Sequence, residues 1–336
     1  MSILLASAPF ILSAVLAGIM GFAIQRGATC MVAAVDEVVS KRRFARLIAM
    51  LSASLWVLAG LLIARALDLL PQMPAGYAVS GWTIVGGALL GLGAFTGRAC
   101  VFGAIARFGS GEWAFALTPV GFYVGCVTIA SLPKPAPTKL DAGSPVLIAS
   151  MWLAIPFALA MIARVARALQ VPRGAMSRTI FERARECLSA HIWSPHSATA
   201  VIGITFFFML VLAGAWAYTD VLAELARGMH ASLVPRLLLL VALYVGALIG
   251  GRTASRLRGT PPSPTQLVKC FAGGVLMGWG SLMIPGSNDG LILVGMPLLW
   301  PYAWVAFATM CASIAAAMLV VKAVRGAAGG RHAEQR

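Results

Sequence analysis

Charged residues are few in this chain, and acidic residues are the fewest. Asp, Glu, Lys and Arg make up 11% of its 336 residues, against about a quarter in soluble domains. Hydrophobic residues make up 60%, and no soluble core could bury that much apolar surface. Apolar runs recur along the chain at about the 17 to 25 residues that a helix needs to cross a bilayer. The composition therefore excludes a soluble protein and predicts a membrane protein.

Several short motifs are also missing. The six cysteines show no CxxC spacing, which argues against a disulfide framework or a zinc knuckle. The chain has no P-loop, so ATP hydrolysis within it is not expected. Cys187, His191 and His196 carry metal-binding side chains without tight spacing, and we interpret them as bystanders. We expect no metal, no cofactor and no enzymatic activity.

Nine apolar runs predict an all-α polytopic membrane protein. They lie near residues 7–24, 45–67, 78–96, 112–131, 145–163, 197–217, 234–250, 267–284 and 297–321. When the connecting segments are assigned alternately to two sides, one side receives 21 basic and six acidic residues and the other receives five of each. The positive-inside rule then places the N-terminus in the periplasm and the C-terminus in the cytoplasm. Orientation thus accounts for the net charge of +15, and we expect no nucleic acid partner.

Internal similarity predicts two halves of inverted topology. GGALLGLGAFTGRAC at 86–100 resembles GGVLMGWGSLMIPGSND at 273–289, and GIMGFAIQRGATC at 18–30 aligns Cys30 with Cys100. The similar segments run in opposite directions across the predicted membrane, as in inverted-repeat transporters. We predict a first half at 1–165, a cytoplasmic Arg-rich amphipathic linker at 166–196, a second half at 197–325 and a cytoplasmic tail at 326–336. The linker helix is expected to lie along the anionic inner leaflet.

Cys30 and Cys100 stand at equivalent points of two Gly-rich breaks. Each is followed by an apolar run too short to cross a bilayer, and we expect short re-entrant segments there. Breaks at Gly27, Gly97 and Gly286 would release helix N-termini, whose free N–H groups attract an anion. Other glycine pairs, such as those at 87/91, 121/125, 246/250 and 274/278, are expected to allow close helix packing. Thiols at repeated breaks favour a substrate path, whereas the other four cysteines are expected to be packing residues.

Further polar residues lie beside these breaks. Arg26 and Arg98 flank the two cysteines, where they either recruit anions or anchor the chain at the inner leaflet. Ser287 and Asn288 follow the third break and are suitable donors to an anion. Asp289 is expected to cap the helix that follows it.

The motifs resemble those of the YeeE/YedE sulfur-transport family. QRGATC at 25–30, GRACVFGA at 97–104 and MGWGSLMIPGSNDG at 277–290 carry the resemblance. It implies an inverted-repeat protein of the bacterial inner membrane, thiosulfate uptake, and a path lined by thiols that match Cys30 and Cys100. The third family motif usually ends in Gly-Cys-Asn, where this chain has Gly286, Ser287 and Asn288. A hydroxyl is a harder donor than a thiol, so the substrate can differ.

We therefore predict a transporter that takes up thiosulfate or a related small sulfur-containing anion. Its path is lined by Cys30, Cys100 and Ser287, its surroundings are the lipid bilayer, and a cytoplasmic sulfur-carrier protein is a candidate partner. One alternative is an intramembrane thiol enzyme or sulfur carrier that is persulfidated at Cys30 or Cys100. Others are a transporter of selenium species and a structural membrane subunit.

Overall fold

The computed structural model describes residues 7–333, apart from 71–72, 131–137, 141–142, 149, 170–191, 215, 229–232, 256 and 258. The described chain is helical and contains no strand, only the two isolated bridges Tyr77–Lys139 and Glu112–Thr260. The all-α prediction is thus confirmed. The predicted linker helix, with Cys187 and His191, lies outside the described residues.

The helices form two series in which long helices alternate with short ones. The first series is α1 (Ala8–Arg26), α2 (Met31–Lys41), α3 (Ala45–Ala66), α4 (Gly81–Gly97), α5 (Val101–Gly109) and, after the 3-10 turn Trp113–Ala116, α6 (Leu117–Ala130). Next come α7 (Pro145–Ile148), the 3-10 turn Met151–Leu153 and α8 (Ala154–Leu169). The second series is α9 (Pro195–Ala213), α10 (Tyr218–Ala226), α11 (Leu233–Thr253), α12 (Pro264–Met283), α13 (Asn288–Gly290) with the π turn Leu291–Gly295, and α14 (Pro301–Ala333).

The described residues contain seven helical stretches long and apolar enough to cross a membrane, or eight if a bent pair forms one span. Nine spans are therefore not confirmed. The predicted span at 145–163 is divided into α7, a 3-10 turn and α8, and its apolar helical part, Ala154–Arg164, is short. Pro145 begins α7 and Pro156 lies in the first turn of α8, positions where a missing N–H does little harm. Hydropathy alone predicts one helix over this run, whereas the structure has two helices, each with a proline in its first turn.

The two series make matching contacts. The packing of α1 against α11 is repeated by α9 against α3, and that of α4 against α14 is repeated by α12 against α6. The series also meet through α1 with α9 and α4 with α12. Short helices follow the same rule, since α2 packs on α14 and α10 packs on α6. This pattern supports the predicted halves, whose boundaries and inversion stay a prediction.

Glycines bring the central helices into backbone contact. A Cβ on Gly93 of α4 would lie 2.6 Å from the carbonyl oxygen of Gly273 of α12, and one on Gly273 would lie 2.6 Å from that of Gly93. A Cβ on Gly246 of α11 would lie 1.9 Å from the carbonyl oxygen of Gly18 of α1. In lipid there is no hydrophobic driving force between helices, so association depends on van der Waals packing. Small residues at such crossings allow the backbones to approach closely enough for that packing. Of the glycines predicted to allow close packing, Gly246 is joined by Gly121 and Gly274, where an added Cβ would lie 2.2 Å and 2.3 Å from carbonyl oxygens of the facing helix.

Candidate functional site

Each series contains two breaks, and every break ends at the N-cap of a short helix. Break 1 (27–30) ends at Cys30, break 2 (98–100) at Cys100, break 3 (214–217) at Ala217 and break 4 (284–287) at Ser287. None of these four side chains caps its own helix in the described structure. The first backbone N–H groups of the short helices are therefore open to partners from elsewhere.

The chain turns differently at each break. Ala28 (φ 46°) and Arg98 (φ 58°) are the left-handed residues of breaks 1 and 2, next to the glycines that were expected to form the breaks. Gly27 has a helical φ of −78° and is needed for space, because a Cβ there would lie 2.3 Å from Ala198 Cβ. Gly286 has a φ of 156°, which side-chain-bearing residues rarely adopt. At this break α12 and the following segment bend by 50°.

Breaks 1 and 2 meet through their thiols. The Met31 N–H at the start of α2 donates to Cys100 Sγ over 3.1 Å, and the two thiols lie within hydrogen-bonding reach of each other. Cys100 is fully buried, whereas Cys30 is half-buried. The Cys30 thiol lies against Gly103 of α5, where an added Cβ would come within 2.5 Å of the sulfur. The sequence thus predicted the equivalence of these residues, and the fold brings them together.

Breaks 3 and 4 meet through a buried carboxylate. Asp289 Oδ2 accepts the N–H of Thr219 over 3.3 Å, and its Oδ1 is contacted by the hydroxyls of Thr219 and Ser287. Asp289 was expected to cap its own helix, but it caps α10, whose N-cap Ala217 has no polar side chain. The Ser287 hydroxyl is therefore engaged with a carboxylate.

The two pairs of breaks adjoin one another. The Tyr218 hydroxyl at the start of α10 lies 3.5 Å from the Val101 carbonyl at the start of α5, and α13 packs on α5. Beside this junction Asn288 is 1% exposed. Its Nδ2 and Oδ1 have no hydrogen-bond partner among the described residues. A buried amide without partners is costly, so a ligand or water is expected there.

A cavity of about 490 Å³ lies on one side of the junction and reaches Cys30; we call it the first cavity. Its ionisable lining residues are Asp36, Arg46, Arg98, Arg107 and Glu112. Arg107 and Glu112 pair at 3.4 Å and are both partly exposed. With three guanidinium groups against two carboxylates, this cavity is suited to attract an anion.

A second cavity, of about 270 Å³, lies on the other side of breaks 3 and 4. It is lined by Tyr77, Asp220, Glu224, Arg227, Gly286, Gly290 and Tyr302, among others. Glu224 is paired with Arg236 of α11. The junction of the four breaks thus lies between two cavities of different charge.

The two arginines beside the thiols have different surroundings. Arg26 is buried, donates from Nη2 to Thr253 Oγ1 over 2.9 Å and stacks on Phe22 with 4.9 Å between Cζ and the ring centroid. It therefore ties α1 to the end of α11. Arg98 lines the first cavity, so recruitment of an anion suits Arg98 and anchoring suits Arg26.

Break 3 was missed by the sequence analysis, together with Trp216 and Thr219. Trp216 is buried, and its indole N–H has no hydrogen-bond partner among the described residues. The break carries no cysteine or proline to mark it. The sequence did hold a signal for this break, namely the equal spacing of equivalent positions in the two series. Ala217 follows Cys30 by 187 positions, and Ser287 follows Cys100 by the same number.

No group of three or more His, Cys, Asp or Glu side chains that could hold a metal ion is found within the described part of the chain. No curated protein matches the chain. A family model described as sulphur transport matches residues 26–316. The match takes in all four breaks and most of the residues that line the two cavities. The chain therefore belongs to the sulphur-transport (YeeE/YedE) family and is a multi-pass membrane protein of that transporter family.

Proposed function

We propose that this protein takes up thiosulfate, or a closely related small sulfur-containing anion, through the junction of the four breaks. The observation that carries the proposal is the meeting of two thiols and an unpartnered buried amide between two cavities. Cys30 opens onto the first cavity, and Cys100 lies directly behind it. Thiols are soft donors, and the terminal sulfur of thiosulfate is a soft acceptor.

Neutral donors also favour an anion at the junction. The short helices α2, α5, α10 and the α13 segment begin there. Cys100 and Asp289 accept the N–H groups of Met31 and Thr219, and the N-cap side chains leave the other first N–H groups open. The Asn288 amide and the Trp216 indole add buried donors that lack partners among the described residues. Such groups replace the hydration shell of an anion without fixing it by a full charge. Passage requires this moderate binding, since an anion held too tightly would not leave.

We infer that uptake runs from the second cavity to the first, across the inner membrane of a bacterium, with a periplasmic N-terminus and a cytoplasmic C-terminus. Support comes from the charges: the ionisable residues of the first cavity all belong to the side predicted as cytoplasmic. Asp220, Glu224 and Arg227 of the second cavity all belong to the opposite side. The charged residues that the sequence assigned to opposite sides of the membrane thus line different cavities.

The test is uptake of radiolabelled thiosulfate by liposomes that contain only the purified protein. A competition panel of sulfite, sulfate, selenite and selenate ranks the substrates. Thiosulfate should be taken up in a saturable manner and should be displaced least by sulfate and selenate, which present only oxygen. Liposomes that take up no member of the panel would refute a transporter that acts alone and would favour a structural subunit.

The alternative function, a sulfur carrier that is persulfidated on a thiol, is tested with the same purified protein. Intact-mass measurement after incubation with thiosulfate should show the unmodified chain if the anion passes without a covalent step. A stable mass increase that Cys30→Ala abolishes would favour a persulfidated carrier over the path proposed here.

A further inference from the structure

We propose that Asp289 is a proton-coupling site, so that each anion crosses the junction together with a proton; this inference rests on the proposed transport function. Asp289 is 1% exposed and lies where two breaks meet in the middle of the anion path. Ionisable residues at such depth are costly and are usually retained for function.

The surroundings of Asp289 supply hydrogen bonds but no opposite charge. Its partners are the Thr219 N–H and the hydroxyls of Thr219 and Ser287. Within the described part of the chain no Lys or Arg forms an ion pair with it, whereas Glu224 of the same region is paired with Arg236. A carboxylate so held would repel an approaching anion. Protonation removes this repulsion while the hydroxyls can rotate to keep the hydrogen bonds.

Asp220 connects Asp289 to water. It lies on α10 directly after Thr219 and lines the second cavity. A Cβ on Gly290, the residue after Asp289, would lie 3.8 Å from Asp220 Oδ1. In the proposed relay, a proton from cavity water binds the Asp220 carboxylate, passes to the nearby Asp289 carboxylate and leaves to water on the far side once the anion has moved. Only O–H bonds are made and broken in these steps.

Arg227 and Arg236 act on Asp220, but within the described part of the chain neither forms an ion pair with Asp289. The charged and titratable groups around the two carboxyls are Tyr218, Glu224 and Arg227 of α10, Arg236 and Tyr244 of α11 and Tyr302 of α14, whereas Cys100 of break 2 acts on Tyr218. Arg236 is engaged by Glu224, and Arg227 lies exposed at the end of α10. The phenols and the thiol are neutral near pH 7. Asp289 therefore carries the charge that an anion meets at the junction.

The coupling predicts a defined pH dependence. Because anion and proton each favour the binding of the other, the apparent KM for thiosulfate should fall as the pH of the second-cavity side falls, by up to about tenfold per pH unit. An inward proton gradient should drive accumulation of thiosulfate above its external concentration. A pH dye trapped in the liposomes should report proton influx when thiosulfate is added outside.

Asp289→Asn separates coupling from helix capping. The amide oxygen can still accept from Thr219, so α10 stays capped, but the residue no longer binds a proton. We expect this variant to exchange labelled for unlabelled thiosulfate across the liposome membrane and to lose gradient-driven accumulation and dye response. Asp220→Asn should slow the driven uptake, and Asp68→Asn, which changes an exposed loop carboxylate, should behave as wild type.

The outcomes distinguish this inference from the transport function. Wild-type protein that exchanges thiosulfate without proton influx and without a response to the gradient would overturn the coupling and leave transport standing. So would an Asp289→Asn variant that accumulates thiosulfate like wild type. A wild-type protein that exchanges no thiosulfate would instead overturn the proposed function itself.

Discussion

At the scale of single residues, the cysteines that the structure describes differ in their surroundings. Cys30 and Cys100 touch each other at two breaks, whereas Cys126 lies within α6 and donates to the Gly278 carbonyl of α12 over 3.7 Å. Cys311, expected to be a simple packing residue, contacts Met31 Sδ at 3.8 Å. Cys126 is therefore the cleaner control for the path thiols.

Cys30→Ala and Cys100→Ala should each lower thiosulfate uptake by about ten- to a hundredfold. This range corresponds to the roughly 1 to 3 kcal/mol that a lost buried hydrogen-bond donor costs. Cys126→Ala should stay within about twofold of wild type, because the sulfur hydrogen bond to the Gly278 carbonyl is weak. Liposome uptake at equal protein content measures all three. Equal losses at the three positions would mean that packing explains the effect.

Ser287 is the residue where the chain departs from the family motif, and the structure changes what its replacement should do. Its hydroxyl is held by Asp289 and Thr219, so Ser287→Ala should act through the carboxylate and lower uptake without changing the order of substrates. Ser287→Cys restores the family thiol and should shift competition toward anions with a terminal sulfur. The control is Ser13→Ala, which also removes a buried hydroxyl. Ser13 lies in α1, outside the four breaks, and donates to the Pro9 carbonyl. Unchanged selectivity in Ser287→Cys would show that substrate does not reach this position.

At the scale of elements, the breaks depend on a few backbone positions. Gly286 has a positive φ that an alanine rarely adopts, whereas a Cβ on Gly97 would make only ordinary contacts at 3.7 Å. Gly286→Ala should therefore lower the thermal unfolding temperature and uptake, at a cost of about 1 to 3 kcal/mol. Gly97→Ala should leave both close to wild type. A thermal shift in detergent and the liposome assay together check the pair, and similar behaviour of the two variants would contradict the assigned backbone roles.

At the scale of the whole molecule, orientation determines the direction of uptake. A reporter of cytoplasmic location fused after Arg331 should be active, and one inserted at Lys139 should report the periplasm. These positions follow from the segregation of 21 of the 26 basic residues on one predicted side. Reversal of both reporters would place the first cavity outside and reverse the proposed direction.

Much of this architecture was accessible from local sequence. Hydropathy located most of the spans, since a helix in lipid must be apolar over a length that the bilayer sets. The glycine pairs and the thiols at 30 and 100 were identified because repeats with the same spacing occur along the chain. Break 3 escaped this reasoning, because Gly214 and Ala217 look like an ordinary continuation of an apolar run.

The sequence by itself determined the membrane class and the family, and it marked Cys30 and Cys100 as equivalent residues of two breaks, because each of these rests on composition or on contiguous motifs. Only the tertiary structure decided that Asp289 caps α10 and that Ser287 is bound to it. The contacts of Thr219 with Asp289 and Ser287 join residues about 70 positions apart, and hydropathy is insensitive to which distant polar groups meet. The packing of glycine-lined helices brings these distant groups together and so buries the Asp289 carboxylate between α10 and break 4.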